Sequence, residues 1–545
     1  MSPSIMNEHN WCKPLGYSRV ALALLLVSAG ASAQHFDIDH FRIEGNSVFP
    51  QGDIDAVVKP YTGKQRDYGD VQGAMEALRQ RYSQEGYSVV WVVAPEQELD
   101  QGVVTLRITE ARIGTVSVKG NQHFDEGNIR ASLPELREGA APKLAGISAN
   151  TQLANENPAK QVAIVLRAGM KPGLVDATVD VSDQAPLRVF LSADNTGSPQ
   201  TGNARVGIGL QYANLFNRDH VGTLNYVTSP GKENQVRLYS GSYRLPLYSR
   251  GDSLDFILGY SDVNAGTTQT VAGPLMFSGR GAFYGLRYNQ LLGRRGEVSH
   301  RLIYGLDYRA YRNTCALGDF GAAGCGPAAA DITVRPVSLT YSGNWAKPGR
   351  SSDFYVALSH NLAGGNKGRQ QDFEAARPSP NGGSGAPSRY TVLRLGVSLA
   401  QSFAHNWQAR AAIHAQYSVD ALISGEQFGI AGGNAIRGFP ERQVARDTGY
   451  FARFEVHSPF LMEKLLPPEM KLRGVLFHDF GSAANNPLPG ESRQRASIAS
   501  IGAGLRWSGP RNFSLLLDMA RVTRGSEGTQ AGELRGHAAA YFEIY

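Results

Sequence analysis

The residues best placed to do chemistry lie in Gly432-Gly433-Asn434-Ala435-Ile436-Arg437-Gly438-Phe439, an irregular stretch between two strand-like runs. The chemistry open to this stretch is recognition. A guanidinium is planar, always charged, and able to give two parallel hydrogen bonds to one carboxylate. Gly432, Gly433 and Gly438 let the backbone turn sharply around it, and Ile436 and Phe439 offer apolar faces. Bond-making chemistry has no comparable footing. The chain has no G-x-S-x-G, no H-E-x-x-H and no Cys/His cluster at ligand spacing. His478, in Phe477-His478-Asp479-Phe480-Gly481, falls on a strand-like run whose alternation turns it away from Asp479 toward the outer face. The reading is therefore not an enzyme, with no metal and no cofactor. Cys315 and Cys325 flank a short Gly/Ala-rich stretch, as the partners of a local disulfide do in an oxidising compartment; the third cysteine, Cys12, lies in the leader.

The elements that must position Arg437 follow from the rest of the chain. A leader carrying Lys13 and Arg19 precedes an apolar core at residues 20–27 and then Ala31-Ser32-Ala33, which predicts a signal peptide over 1–33 cleaved before Gln34. That core is far short of the roughly 20 residues a spanning helix needs, and no later run reaches that length, so membrane entry would have to be by strands. Composition agrees: 62 of 545 residues are Gly, only 19% are charged, and 23 Tyr and 22 Phe supply aromatic girdles. The net charge of +6 comes from scattered Lys and Arg with no basic run, which argues against nucleic acid and for solvated loops and a polar lumen.

Residues 34–111 read as a small α+β unit. Phe41-Arg42-Ile43 is a strand before the turn Gly45-Asn46, and Val71, Met75, Leu78 and Tyr82 share one helix face that ends at Gly86. Strands at 88–94 and 103–108 follow. A second unit over 112–185 echoes the first, with a strand at 113–119, the turn Gly120-Asn121, and strands at 161–167 and 174–181. A period near 75 residues argues for a tandem array.

From residue 186 to 545 strict alternation takes over. Val206, Ile208, Leu210 and Tyr212 oppose Gly207, Gly209 and Gln211, and Phe513, Leu515, Leu517 and Met519 oppose Ser514, Leu516, Asp518 and Ala520. Lipid on one side and a wet lumen on the other impose that pattern. About sixteen runs of roughly ten residues fit, starting near 187, 204, 221, 235, 253, 281, 300, 331, 352, 389, 407, 448, 470, 495, 513 and 535. Short connections alternate with long ones at 265–280, 313–330, 364–388 and 420–447, as periplasmic turns alternate with extracellular loops.

Gly45-Asn46, Glu85-Gly86-Tyr87 and Pro95-x-Gln97-x-Leu99-x-x-Gly102 resemble the ShlB-type polypeptide-transport-associated (POTRA) domain of two-partner secretion transporters. Asp194-Asn195-x-Gly197 with Gly202-x-x-Arg205 resembles the start of that family's barrel, and Tyr545 supplies a terminal aromatic, although Glu543 interrupts the alternation before it. The resemblance implies two periplasmic POTRA domains followed by a sixteen-stranded outer-membrane barrel. It implies that the loop at about 420–447 folds inward, with Gly432 and Gly433 as support. There Ile436-Arg437-Gly438-Phe439 would form a loop-barrel lock with Asp479 of the F-x-D-x-G strand. The function implied is ATP-free export of an unfolded exoprotein of adhesin or haemolysin type, with the loop shifting as it passes. Outer-membrane lipid, lipopolysaccharide, periplasmic chaperones and the barrel-assembly machinery are the further partners implied. Val71, Met75, Leu78 and Tyr82 of the helix and Ser88, Val90 and Val92 of the following strand are the candidate docking residues. Few residues separate Gln34 from the first strand, so the inward loop, rather than an N-terminal plug helix, is expected to close the resting pore. A barrel-assembly insertase shares the RGF loop but usually carries more repeats; a passive porin carries none.

Overall fold

The computed structural model describes residues 35–545 except 88, 99–100, 172, 199–200, 263–265, 271–272, 278–279, 313–329 and 545. The expected signal peptide, plug-free N-terminus, Ser88 docking position and Cys315/Cys325 pair lie outside the described residues.

The first α+β unit contains β1 (Phe36–Ile38), β2 (His40–Glu44), α1 (Gln51–Val58), β3 (Gly63–Arg66), α2 (Tyr68–Gln84), β4 (Val90–Val93) and β5 (Val103–Glu110). β1 pairs with β3, and a three-stranded sheet runs β2-β5-β4 with β2 and β5 parallel. The helical spacing on α2 has the expected consequence for burial but not for docking. Val71, Leu78 and Tyr82 are buried, as is Val92 on β4, and Met75 is half-buried. This corrects the docking expectation: an apolar helix stripe that its own domain covers is core and presents no surface to a partner. What β4 exposes instead is Trp91 and Val93, on an edge strand. The Pro95-x-Gln97 motif is a strand mimic, because the Gln97 amide donates to Thr105 O (2.9 Å) and accepts from Thr105 N (2.6 Å).

β6 (Arg112–Lys119), α3 (Glu126–Ala131), α4 (Leu144–Ala154), β7 (Lys160–Ala168) and β8 (Leu174–Asp183) form the second α+β unit, with sheet order β6-β8-β7. The repeat is visible at atomic level. Gly45 and Gly120 both have positive φ (85° and 84°). A Cβ at either would collide with a carbonyl oxygen of its own unit's sheet, Ile108 or Val181. The asparagine that follows donates to the carbonyl three residues on, Asn46 to Phe49 O and Asn121 to Phe124 O, each at 2.8 Å.

The barrel is a closed antiparallel sheet. It begins with β9 (Leu187–Asp194), β10 (Arg205–Leu215), β11 (His220–Thr228), β12 (Arg237–Leu247) and β13 (Asp252–Ser261). The hairpin β14 (Gly266–Thr270) with β15 (Gly273–Phe277) stands outside the closed sheet. β16 (Gly281–Arg295), β17 (Val298–Tyr311), β18 (Ile332–Val334) and β19 (Pro336–Lys347) follow; β18 and β19 both pair with β17 and act as one stave interrupted at Arg335. β20 (Arg350–Asn361), β21 (Thr391–Ser402), β22 (Gln408–Tyr417), β25 (Thr448–Leu461), β26 (Lys471–Ala484), β27 (Arg495–Ser508), β28 (Ser514–Arg524) and β29 (Leu534–Glu543) complete it, with β23 (Phe428–Gly429) and β24 (Ala445–Arg446) lying in the loop between β22 and β25. Counting β18 and β19 as one gives sixteen staves among the described residues. Leu224, Leu258, Leu306, Leu358, Leu476 and Ile501 are exposed on the outside, as a lipid-facing band requires.

The closing seam between β9 and β29 is short, running from Ala539↔Asp194 to Glu543↔Phe190. Asn195 extends it: its side chain accepts from Ala538 N (2.9 Å) and donates to Gly536 O (3.0 Å), and its own N donates to Ala538 O (3.2 Å). This accounts for the Asp194-Asn195 motif. Asn195→Ala removes both side-chain bonds, about 0.5–1.5 kcal/mol each. The folded, heat-modifiable band of the variant is expected to disappear several degrees below that of the parent on a gel-shift melting series.

The second α+β unit is bolted to the barrel's turns. Its hydrophobic core continues into Ala213 and Val221 of the barrel. Lys160, fully buried, pairs with Asp219 and donates to Asn128 Oδ1 (3.0 Å), and the Tyr248 hydroxyl donates to Asp219 Oδ2 (2.5 Å). Asn157 and Asn150 donate to Ala213 O (2.7 Å) and Tyr248 O (2.8 Å). Burial pushes the Lys160 ammonium below its ordinary value against the pull of Asp219, and burial with the Asp219 charge pushes the Tyr248 hydroxyl well up.

Candidate functional site

The connection between β22 and β25 folds into the barrel and braces itself before it touches the wall. The β23–β24 ladder forms its base, extended by Ile430 N to Val444 O (2.9 Å). At the tip, Gly432 N donates to Ile436 O and Ile436 N to Ile430 O, each at 3.0 Å. Gly432 has φ 124°, and a Cβ there would collide with the Glu441 carboxylate, which accepts from Gly433 N at 2.6 Å. Both glycines are thus part of one turn closed by Glu441.

Arg437 leaves this turn with its side chain fully buried. Its Nε and Nη2 donate to Asp479 Oδ2 (2.7 Å) and Oδ1 (2.8 Å), a two-pronged contact, and its backbone N also reaches Oδ2 (3.2 Å). Nη1 donates to Asp518 Oδ2 (2.9 Å) and Glu455 Oε1 (2.8 Å). The guanidinium lies 3.5 Å from the centroid of the Phe477 ring. Arg506 and Arg453 complete the cluster: Arg506 donates to Asp518 at 2.6 and 3.0 Å, and Arg453 lies 3.5 Å from Glu455 and 4.0 Å from Asp479. Three arginines therefore face three carboxylates.

The neighbouring residues are held as tightly. Gly438 has φ 95°, its N donates to His537 Nε2 (2.9 Å), and a Cβ there would sit 3.3–3.6 Å from Val522, Ala520 and Ser500. Ile436 and Phe439 are buried in an apolar cluster with Ile430, Val444, Phe451 and Ile498. Each fixed position of F-x-D-x-G meets the loop: Phe477 stacks on Arg437, Asp479 binds it, and a Cβ on Gly481 would lie 2.9 Å from Ile436. His478 instead donates to, or accepts from, nothing on the loop; its Nδ1 lies 3.0 Å from Ser500 O. Sequence reasoning missed Glu455, Asp518, Arg453, Arg506 and His537. The signal available was alternation, which already put Asp518 on the polar face of its strand.

A second set of contacts holds the outer part of the loop. Glu426 accepts from Arg309 (3.0 and 3.2 Å) and from the Tyr311 hydroxyl (2.7 Å), with Arg394 at 3.7 Å. Asp447 accepts from Arg377 (2.8 and 2.9 Å), which follows the short helix α5 (Gln370–Ala376) in the long β20–β21 connection.

A closed sixteen-stave barrel with an apolar outer band, an inward loop and N-terminal α+β units defines an outer-membrane β-barrel transporter of POTRA type. Residues 175–507 match the family described as "Haemolysin secretion/activation protein ShlB/FhaC/HecB", and residues 36–111 match "POTRA domain, ShlB-type". The chain belongs to the ShlB/FhaC/HecB family of two-partner secretion translocators of the outer membrane, a family of transporters and not of enzymes. Relatives include the Heme/hemopexin transporter protein HuxB of Haemophilus influenzae, 22% identical over 480 residues, covering 85% of this chain and 79% of that protein. Another is the Outer membrane transporter CdiB of Dickeya dadantii, 21% identical over 431 residues (77% and 72% covered). Among solved structures, CdiB from Escherichia coli superposes with a TM-score of 0.71 at 17% identity, covering 95% and 92% of the two chains. CdiB from Acinetobacter baumannii gives 0.67 at 15% identity, covering 94% and 90%.

Proposed function

We propose that this chain captures an unfolded exoprotein in the periplasm through its N-terminal units and passes it through a barrel whose inward loop is locked to the wall by Arg437. The observation that carries the reading is the fully buried Arg437 held by Asp479, Asp518 and Glu455 inside a closed barrel. A passive pore needs no such anchor. The periplasm has no ATP, so the driving force is binding and folding of the cargo. Lipid and lipopolysaccharide surround the apolar band, and periplasmic chaperones with the barrel-assembly machinery bring the chain to the membrane. The exoprotein is of adhesin or haemolysin type.

Docking occurs by strand addition to the β4 edge, with Trp91 and Val93 as its side-chain anchors. Burying a large apolar side chain is worth about 1.5–3 kcal/mol. Trp91→Ser with Val93→Ser is therefore expected to weaken binding of the exoprotein's N-terminal segment at least tenfold in a fluorescence titration, with the barrel level unchanged. The broader test removes residues 36–111. The account expects the truncated barrel in the outer membrane with secretion lost. Continued secretion would overturn it, and a general fall in other outer-membrane barrels would favour the insertase.

A further inference from the structure

The inward loop does not fill the barrel evenly. Two cavities, of about 460 and 370 Å³, share Asp353, Ser398 and His414 in their linings, and the larger also reaches Phe451, Arg453 and Glu455 of β25 beside the Arg437 site. Together they follow the wall of β17, β19, β20, β21 and β22 from Arg301 up to Asn434 at the loop tip. Arg301 is bridged to Glu156 of the second α+β unit at 2.7 Å, so the mouth of this space opens beside that unit. Ser342, Asn344, Tyr355 and Ser398 place uncharged polar groups along it between the charged Arg301, Asp353 and Arg410, with Asn344 donating to Asp353 and the Tyr355 hydroxyl against His414. Such groups suit the peptide backbone of an extended chain without selecting its sequence.

The two sets of loop contacts engage different strands around this space. Arg437 is fixed to β25, β26 and β28 through Glu455, Asp479 and Asp518. Glu426 holds the loop to strands that also line the cavities, through Arg309 and Tyr311 of β17 and Arg394 of β21, while Gln416 of β22 donates to Glu426 O (3.1 Å). Extending the cavity along these strands toward the far end parts the Glu426 contacts.

We propose that an extended polypeptide passes between the inward loop and the β17–β22 wall, and that the loop opens by releasing the Glu426 clasp while Arg437 stays bound as the pivot. This rests on the export reading and refines which contact moves. The loop pivots about its most buried point, and the bonds that break are those to Arg309, Arg394 and Tyr311.

The test uses the full chain in planar lipid bilayers, with Cys315 and Cys325 replaced by serine and one new thiol at a time. During channel openings a charged methanethiosulfonate reagent is expected to reduce the current through Ser398→Cys and to leave Ser500→Cys, beneath Gly438, unmodified. Glu426→Gln and Arg309→Gln are each expected to raise the open probability at least tenfold. Modification of Ser500→Cys during openings, protection of Ser398→Cys, or an unchanged open probability in both clasp variants would overturn the proposal. No cargo enters the measurement, so its failure leaves the export reading to stand or fall on secretion.

Discussion

Replacing Arg437 with alanine is expected to abolish secretion of the partner exoprotein and to lower the heat stability of the barrel. The substitution leaves Asp479 and Asp518 buried and Glu455 half-buried around a void, with Arg453, Arg506 and, at Glu455, His457 remaining beside them. Breaking a buried ion pair from one side costs about 3–5 kcal/mol, because the carboxylates remain desolvated without their partner. Arg437→Lys keeps the charge but cannot span both Asp479 oxygens and Nη1's two acceptors at once, so an intermediate loss is expected. A two-residue view predicts that Arg437→Asp with Asp479→Arg would partly restore secretion. The structure predicts the opposite. The new carboxylate would face Glu455 and Asp518, and the new guanidinium would lie beside Arg453. Secretion by the exchanged variant no better than by either single variant supports the three-carboxylate cluster; restoration would reduce it to the pair.

Replacing Lys160 with methionine is expected to loosen the second α+β unit from the barrel. Methionine fills much of the volume but leaves Asp219 buried and charged, with Tyr248 as its remaining side-chain donor. A cost of about 3–5 kcal/mol follows from the same one-sided break. Limited proteolysis of the outer-membrane protein is expected to cut near residues 184–186 at least tenfold faster than in the parent. Lys160→Met with Asp219→Asn removes both charges and is expected to recover much of the resistance. Equal cleavage of parent and single variant would show that the junction is held without Lys160, by its apolar contacts at Ala213 and Val221 and the polar ones of Asn150, Asn157 and Glu156.

The barrel was legible because lipid and lumen impose a period of two, a period a soluble sandwich shares, and because about sixteen runs of spanning length carry it. Strand starts expected near 187, 281, 448 and 495 coincide with β9, β16, β25 and β27, and those near 204, 253 and 513 differ from β10, β13 and β28 by one residue. Two features were not legible. An apolar stripe on α2 does not state what covers it, and its own domain does, which moves the candidate surface to Trp91 and Val93. The partners of Arg437 and Gly438 come from β25, β26, β28 and β29, spread from Glu455 to His537, and only the closed sheet brings those strands under one loop. Alternation marks which charges face the lumen; it does not tell which of them meet. Helix α5 was hidden for a related reason, since a single buried apolar residue, Phe373, makes no periodic stripe, and its cluster draws on β18 (Ile332, Val334), Val392 of β21 and the loop residues Leu422 and Ile423.

The most direct test compares the proteins released by a strain carrying this chain with those released by the same strain lacking its gene. Export through this barrel predicts that one large exoprotein disappears from the medium and the cell surface while the other outer-membrane barrels keep their levels. An unchanged set of released proteins, or a uniform fall in all barrels, would contradict it.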